Sequence, residues 1–308
     1  MRLGLLRDGF MTTTQVVTQA DQAELLGAVG ACRAGKPREF MERYMHIRDE
    51  DQALVLLRFE ENQEEYYGRT FGQLGSVREP MLVHVLKARK AYSTTFWHMS
   101  AFSFMCCWPG FIVNSVIDSD KNLRTILTMI DVAYDNMPEW MRPRKGHWDT
   151  ELRELEFESP DGRRITSIMT FSSARSRNFG RGGTPKMVIQ SEKPYYEATF
   201  DEDLDAALRQ ALPKNGWMVW EGTPRGTQNS FYQQFRAIQE GAAGVSIIRY
   251  WFQKRGNALA AGDFGVHRDN RGELRLTEAE VEVAARFPDD GVPVQDRIRW
   301  RREKTLCV

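Results

Sequence analysis

Short apolar runs, each bounded by turn residues and separated from the next by a helical pattern, recur through the middle of this 308-residue chain. Runs of this length and composition predict strands that are buried on both faces of a sheet. Because helical segments stand between them, we expect an α/β fold with a mostly parallel sheet and helices on both faces. The predicted strands are PMLVHVLKA (80–88), FIVNSVI (111–117), PKMVIQSE (185–192), GWMVWEGTP (216–224) and VSIIRYWF (245–252).

The segments around these strands carry helix and hairpin signals. SDKNLRTILTMIDVAYDNM (119–137) has a Ser or Asp N-cap, apolar residues at helical spacing and a stop before Pro138. A Pro-Asp-Gly turn within 151–173 predicts a β-hairpin. The other predicted helices are TTFWHMSAFSFMCC (94–107), DEDLDAALRQAL (201–212), QNSFYQQFRAIQEG (228–241) and LTEAEVEVAARF (276–287).

Changes in composition along the chain suggest three parts. Residues 1–70 are polar and weakly helical, which predicts a helical, lid-like N-terminal region. The alternating strands and helices place an α/β core at 71–256, which is long enough to bury a full hydrophobic interior. The polar, Arg-rich residues 257–308 are predicted to form a linker.

The composition limits the possible classes of function. Net charge gives no general argument for nucleic-acid binding, because 42 Lys and Arg balance 42 Asp and Glu. None of the four cysteines has zinc-site spacing, which favours a reducing intracellular compartment. The apolar stretch 96–117 is interrupted by His98, Asn114 and Pro109-Gly110, so it predicts a soluble helix, a turn and a strand rather than a membrane span.

Three strand ends carry unusual residues, and open α/β sheets bind ligands at the carboxyl ends of their strands. KARKAYSTT places basic side chains before hydroxyls at a helix start, which suits phosphate and Mg²⁺. VIQSEK ends an apolar run in Glu192, a carboxylate able to orient an attacking water. EGTPRGTQNSFY has Thr223 at the tip of a tight turn. Each loop taken alone also has a plainer interpretation. KARKAYSTT fits a solvated surface loop, Glu192 an ordinary surface glutamate, and EGTPRGTQNSFY a simple strand-to-helix connection.

The order of these three loops resembles the large terminase subunit of tailed bacteriophages, the ATPase that packages DNA. VLKARKAYSTT resembles the variant Walker A motif of that family, and FIVNSVIDSDKNLRTIL resembles its next strand and helix. RSRNFGRGGTPKMVIQSEKPYY resembles an Arg-Gly segment that runs into a Walker B motif of the Ser-Glu type. EGTPRGTQNSFYQQFRAIQEG resembles the coupling motif. The resemblance runs from about Phe40 to Arg302 and implies a P-loop NTPase fold with its ATPase core at 71–256.

The resemblance also implies a role for each matching residue. Glu192 would be the catalytic base, and Thr223 would sense hydrolysis and pass the change to the DNA-gripping parts. Thr94 would bind Mg²⁺, with Ser191 where many P-loop enzymes have a metal-associated aspartate. Gln63, in FEENQEEYY, matches a glutamine that reads adenine in this family. The nucleotide-binding set would further include Lys87, Arg89, Lys90, Ser93, Thr94 and Thr95.

An arginine of the Arg-Gly segment would stabilise the charge that develops on the transferred phosphoryl group. The candidates are Arg175, Arg177 and Arg181, of which Arg181 is the assigned catalytic residue. Each of them singly also fits a contact with DNA or solvent.

Two departures from the family pattern matter. Tyr92 stands where the family has the loop glycine, and Lys90 stands where it has a glutamine. Glycine permits close backbone approach and positive φ, which tyrosine resists. The family also continues into a nuclease with clustered carboxylates, and no such cluster is present in this sequence. We therefore expect that this chain alone does not cut DNA.

The implied function is that of a packaging motor that uses ATP and Mg²⁺. Its implied partners are double-stranded DNA, a small terminase subunit and a portal protein. The chain would form a homo-oligomeric ring in the bacterial host cytoplasm, transiently at the procapsid portal and without a membrane. Two alternatives stay open. One is a truncated or decayed prophage terminase fragment that hydrolyses ATP poorly or not at all, and the other is a helicase-like ATPase.

Overall fold

A computed structural model of the protein describes residues 18–87, 91–174, 183–226 and 228–249, together with two short paired strands at 267–268 and 274–275. The helices in these ranges are α1 (Gln19–Arg33), α2 (Arg38–Tyr44), α3 (Glu61–Arg69), α4 (Ser93–Cys107), α5 (Asp120–Asp135), α6 (Ala198–Ala211) and α7 (Ser230–Gln239). The strands are β1 (His46–Arg48), β2 (Leu54–Leu56), β3 (Met81–Lys87), β4 (Ile112–Ile117), β5 (Arg144–Trp148), β6 (Leu152–Glu158), β7 (Arg164–Ser173), β8 (Met187–Ser191), β9 (Trp217–Gly222), β10 (Val245–Arg249), β11 (His267–Arg268) and β12 (Leu274–Arg275).

The central sheet has eight strands in the order β10-β3-β9-β8-β4-β7-β6-β5. The strands from β10 to β7 are all parallel, whereas β6 and β5 continue the sheet as antiparallel strands. The predicted α/β class with a mostly parallel sheet is therefore confirmed. The carboxyl ends of β3, β8 and β9 lie side by side at one edge, because β9 pairs with both of the other strands.

Side chains of the parallel strands alternate between two hydrophobic cores, as the two-residue period of a strand requires. In the larger core the strand residues pack with those of α1, α2, α4 and α5, and in the smaller core with those of α6 and α7. The sheet thus carries helices on both faces, which explains why its strands read as continuous apolar runs. The larger core takes Val83, Val85, Met187, Ile189, Trp217 and Val219, whereas the smaller core takes Leu86, Val188, Met218 and Trp220.

Helix α4 is buried almost all round, and it carries no charged residue. A helix that is apolar on every side must lie in the interior. Its aromatic side chains contact three other aromatic residues: Tyr66 in α3, Phe71 just after α3, and Trp217 in β9. This packing fixes the first turn of α4 directly beyond the end of β3.

Two strand pairs differ from the sequence-based expectation. The sequence from Phe40 to Phe71 predicts a partly helical region, yet it contains the β1–β2 hairpin, whose turn is closed by the Asp49 carboxylate. Strand β5 (Arg144–Trp148) has exposed, charged residues and no apolar alternation, so its sequence predicts no strand. Its pairing with β6 at the sheet edge produces the strand, and an edge strand needs only one partner.

Most of the predicted linker over 257–308, including the predicted helix at 276–287, lies outside the described residues, as do residues 1–17. In the part of the chain that is described, no helix combines the length and the apolar character needed to cross a bilayer.

Candidate functional site

Lys87, Thr94, Ser191, Glu192 and Glu221 meet at the carboxyl edge of the sheet and form what we call the Lys87 cluster. Lys87 ends β3, Ser191 ends β8, and Glu221 lies one residue before the end of β9. Their side chains point to the α4 face, because they share strand parity with core residues on that side. The cluster therefore combines one ammonium, two carboxylates and two hydroxyls at the start of a buried helix.

The Lys87 ammonium is buried between the two carboxylates. Its Nζ donates a hydrogen bond to Glu192 Oε1 and lies 3.4 Å from Glu221 Oε2. Burial opposes the charge on Lys87, but attraction to Glu221 and Glu192 outweighs it and raises the pKa above its usual value. Lys87 therefore stays protonated in this arrangement.

Glu221 is the most enclosed charge of the cluster, with no solvent exposure. Its Oε1 accepts a hydrogen bond of 2.8 Å from Thr94 Oγ1 at the first turn of α4. Burial favours the neutral acid, yet the Lys87 charge together with the Thr94 and Ser191 hydroxyls holds the pKa of Glu221 below its usual value. A buried carboxylate thus remains ionised beside the start of the helix.

Glu192 joins two strand ends. Its backbone has φ of 53°, a left-handed conformation that costs a non-glycine residue energy and that clusters at functional sites. This turn brings the carboxylate back over the sheet edge, where Oε2 accepts a hydrogen bond of 3.1 Å from the Thr223 backbone N–H. The predicted base and the predicted sensor of hydrolysis are therefore in direct contact, through the backbone of Thr223.

Tyr92 is the residue that caps α4, and it too is left-handed, with φ of 54°. The position at which the family pattern has glycine therefore does require positive φ, and tyrosine adopts it at an energetic cost. The Tyr66 hydroxyl donates to the Ala91 carbonyl at 3.2 Å and holds the preceding residue in place. Ser93 is buried at the first position of the helix, and its Oγ has no hydrogen bond of good geometry.

His98 links the first turn of α4 to strand β4. Its Nδ1 lies 2.8 Å from the Thr94 carbonyl, and its Nε2 lies 2.8 Å from Ser115 Oγ. A carbonyl only accepts, so Nδ1 carries the proton and Nε2 accepts from the Ser115 hydroxyl. Complete burial lowers the pKa of His98 and keeps the ring neutral.

Gln63 lies in the first turn of α3 and is almost fully buried. Its side-chain oxygen accepts from the Glu60 N–H at 3.0 Å and so caps its own helix, which leaves the amide NH₂ as its donor group.

Arg249, at the end of β10, donates to Asn62 at 2.5 Å and pairs with Glu65. Because Arg249 lies opposite Lys87 in the β10–β3 ladder, this contact ties α3 to the same sheet edge.

Several of the predicted site residues are not part of this geometry. Thr95 is half-buried in the first turn of α4, next to Thr94. The residues Arg89, Lys90, Arg175, Arg177 and Arg181 lie outside the described residues. Their roles stay predictions.

Sequence reasoning missed Glu221, which supplies the buried carboxylate at the centre of the Lys87 cluster. The available signal was the one that drew attention to Glu192, a carboxylate that ends an apolar strand run, here in WMVWEG. The neighbouring threonine and glycines of that loop directed attention to Thr223 instead.

A second buried lysine lies on the opposite face of the sheet. Lys193 Nζ bonds to Gln190 at 2.9 Å, Asp201 at 2.7 Å and Asp205 at 3.3 Å, so all three of its donors are used. Asp205 also accepts from Trp220 Nε1 at 2.8 Å. We call these five residues the Lys193 cluster. It joins β8, β9 and α6 beneath the segment that carries Glu192.

A mostly parallel sheet with helices on both faces, one of which follows β3, defines an α/β layer fold. The solved structure of one phage large terminase shares it. The HK97 bacteriophage large terminase matches with a TM-score of 0.53 and 12% identity, over 71% of this chain and 44% of that chain.

Two further matches are weaker. The large terminase ATPase domain of Thermus phage P74-26 matches with a TM-score of 0.44 and 17% identity, over 55% of this chain and 75% of that one. The large terminase of a thermophilic bacteriophage in complex with ATP-gamma-S matches with a TM-score of 0.43 and 12% identity, over 63% of this chain and 45% of that one.

The matched part of the chain spans less than half of the HK97 protein, at 44% of its length. No protein-family model and no curated protein matches the sequence. At 12% identity, the HK97 comparison establishes a shared fold.

Proposed function

We propose that this chain is the ATPase module of a phage large terminase, which couples ATP hydrolysis to the movement of double-stranded DNA into a procapsid. The observation that carries the proposal is the meeting of Lys87, Thr94, Glu192 and the Thr223 N–H at one sheet edge. These residues come from three loops whose order in the chain already resembles that family. The HK97 terminase fold supports the proposal independently of the loop sequences.

The Lys87 cluster supplies the parts that in-line attack on a γ-phosphate needs. Catalysis of this reaction is mainly positioning and charge stabilisation. Lys87 would exchange its carboxylate partners for phosphate oxygens, which frees Glu192 to orient water as a base. The Thr223 backbone, bonded to the other Glu192 oxygen at 3.1 Å, would then register the change and pass it to the loop before α7.

The donor set of the cluster fits Mg²⁺. Thr94 and Ser191 offer hydroxyl oxygens and Glu221 a carboxylate, which are the hard ligands that Mg²⁺ prefers. Among the described residues no group of three or more His, Cys, Asp and Glu could hold a metal by itself. Mg²⁺ is usually bound through one or two protein oxygens and the phosphates of the substrate. When bound, the ion neutralises charge on the phosphates.

The test is phosphate release from ATP, with and without double-stranded DNA. We expect DNA-stimulated turnover that Glu192→Gln reduces by at least about 100-fold, since it removes the base. Glu197→Gln, which neutralises an exposed carboxylate of the same segment, is the matched control and should change turnover less than about twofold. A folded wild-type protein with no ATPase activity would exclude the proposal.

A second candidate is a remnant that keeps the fold and hydrolyses ATP poorly or not at all. The left-handed Tyr92 favours it, because a tyrosine side chain at this position obstructs backbone contact with phosphate. Calorimetric titration with ATP separates the two. A remnant shows no Mg²⁺-dependent binding in the wild type, and Tyr92→Gly should then restore some.

A further inference from the structure

Position 191 lacks the charge that a metal site of this fold ordinarily has. A Walker B strand ends in an aspartate that is associated with the metal, followed by the catalytic glutamate in many enzymes. Here β8 ends in Ser191, whose hydroxyl is fully buried beside the Glu221 carboxylate. The hydroxyl offers an oxygen but no negative charge, so the negative charge must come from another residue.

The next strand supplies a carboxylate at the same level. Ser191 and Glu221 are direct partners in the β8–β9 ladder, and both side chains point to the α4 face. Glu221 has no solvent exposure, and its Oε2 has no hydrogen bond of good geometry. The register of β8 against β9 therefore places a buried carboxylate beside the position where the aspartate is missing.

The carboxylate also faces the hydroxyl expected to bind the metal. Glu221 Oε1 and Thr94 Oγ1 are 2.8 Å apart. Neighbouring oxygens around an octahedral Mg²⁺ with bonds of 2.0–2.1 Å lie about 3 Å apart. The two oxygens already have a separation that one small hard cation accommodates.

We propose that Glu221 provides the metal-associated carboxylate of this chain, in place of an acid at position 191. The metal-associated charge has moved from the end of β8 to β9, next to the loop that carries Thr223. This inference rests on the proposed ATPase function. It concerns how the nucleotide's divalent cation is held, and hydrolysis is not needed to test it.

Glu221 has one competing role, that of a plain counter-ion for Lys87, 3.4 Å away. The two roles give different results when the affinity for ATP-gamma-S is measured with Mg²⁺ and with EDTA. A counter-ion acts on Lys87 whether or not metal is present. A metal-associated carboxylate acts only when metal is present.

The experiment is calorimetric titration of the full chain with ATP-gamma-S under both conditions, together with Mn²⁺ binding followed by electron paramagnetic resonance. In Glu221→Gln we expect the Mg²⁺-dependent gain in affinity to fall by about tenfold or more, with the affinity in EDTA nearly unchanged. Ser191→Asp combined with Glu221→Gln returns the carboxylate to β8 and should restore the gain. Asp205→Asn removes a buried carboxylate on the other face of the sheet and should leave the gain intact.

Each outcome decides the matter. Two results in Glu221→Gln would overturn the inference and leave the proposed function standing. One is that Mg²⁺ still raises the affinity for ATP-gamma-S as much as in the wild type, and the other is that this affinity falls equally with Mg²⁺ and with EDTA. A wild-type chain that binds no ATP-gamma-S overturns the proposed function and the inference with it. If Glu221→Gln does not fold, Glu221→Asp keeps the charge but shortens its reach, and a reduced Mg²⁺ gain is the supporting result. An unreduced gain in Glu221→Asp counts against the inference.

Discussion

Two buried lysines, Lys87 and Lys193, lie on opposite faces of the same sheet, and each is paired with two carboxylates. In the Lys193 cluster every ammonium donor is used. Asp205 also accepts hydrogen bonds from the side chains of Trp220 and Arg209. In the Lys87 cluster Ser191 Oγ and Glu221 Oε2 lack good hydrogen bonds. Buried polar groups are normally satisfied, so incomplete sites need an explanation.

The difference is the one expected between a structural network and the proposed binding site. A fully satisfied buried network rigidifies the elements it joins, here β8, β9 and α6. The Lys87 cluster is less completely hydrogen-bonded, and one of its carboxylates, on Glu192, remains partly exposed. We infer that the Lys193 cluster holds the strand ends still while the Lys87 cluster exchanges partners with a ligand.

The largest expected effect is on stability in Lys193→Met. It leaves Asp201 without its cation and Asp205 with Arg209 alone, and the loss of one partner from a buried pair costs about 3–5 kcal/mol. Urea unfolding measures it. Lys87→Met is the matched variant and should weaken ATP-gamma-S binding more than about tenfold, whereas folded Lys193→Met should not. Equal losses of nucleotide affinity in both variants would contradict the division of roles.

The next effect is steric, at Gly222 between the two clusters. A Cβ there would lie 2.2 Å from Pro194 Cδ and 3.3 Å from the Lys193 backbone nitrogen. Gly222→Ala should therefore push the segment after Glu192 away from Thr223, at a cost of up to about 3 kcal/mol in unfolding free energy. ATP turnover should fall by more than about tenfold, because the Glu192–Thr223 contact opens.

Gly68→Ala is the control for this change, since a Cβ there meets no atom within 4 Å beyond its own helix backbone and chain neighbours. It should leave turnover near the wild-type value. Unchanged turnover in Gly222→Ala would show that the contact between Glu192 and Thr223 is not needed.

A smaller effect is the acid sensitivity of the Lys193 cluster. Lys193, Arg209 and Trp220 outweigh burial and hold the pKa of Asp205 at about 2, below its usual value of 3.8. The folded pKa is the lower one, so this stability is present above about pH 4 and is lost as the pH falls towards about 2. The full contribution is about 2 kcal/mol, of which roughly 1 kcal/mol is lost between about pH 5 and pH 3. In Asp205→Asn the unfolding free energy should fall less than in the wild type when the pH is lowered from about 5 to about 3.

The smallest effect is at Tyr92. Tyr92→Gly relieves a left-handed residue with φ of 54° and should raise the unfolding free energy by up to about 1 kcal/mol. It should also tighten nucleotide binding. Gln52→Gly, at φ of 64° in the β1–β2 turn, is the matched control and should stabilise without any change in nucleotide affinity. If nucleotide affinity changes by a similar amount in both variants, the left-handed backbone at Tyr92 has no specific effect on phosphate binding.

Much of the fold could be predicted from the sequence because it depends on local patterns. The apolar runs predicted β3, β4, β8, β9 and β10, and the N-cap at Ser119 predicted the start of α5. Strand β5 could not be predicted, because its pairing partner rather than its own side chains makes it a strand. The roles given to Lys87, Thr94 and Glu192 stay predictions, although the fold does bring these residues together.

The sequence by itself determined the order of the buried parallel strands and of the helices and loops between them, since side-chain periodicity and turn chemistry are local properties. Only the tertiary structure decided which side chains meet. The β8–β9 register sets Ser191 beside Glu221, and strand alternation sends Glu221 to Lys87 on one face and Trp220 to the Lys193 cluster on the other. A shift of one residue would exchange these partners, and register depends on the packed sheet as a whole.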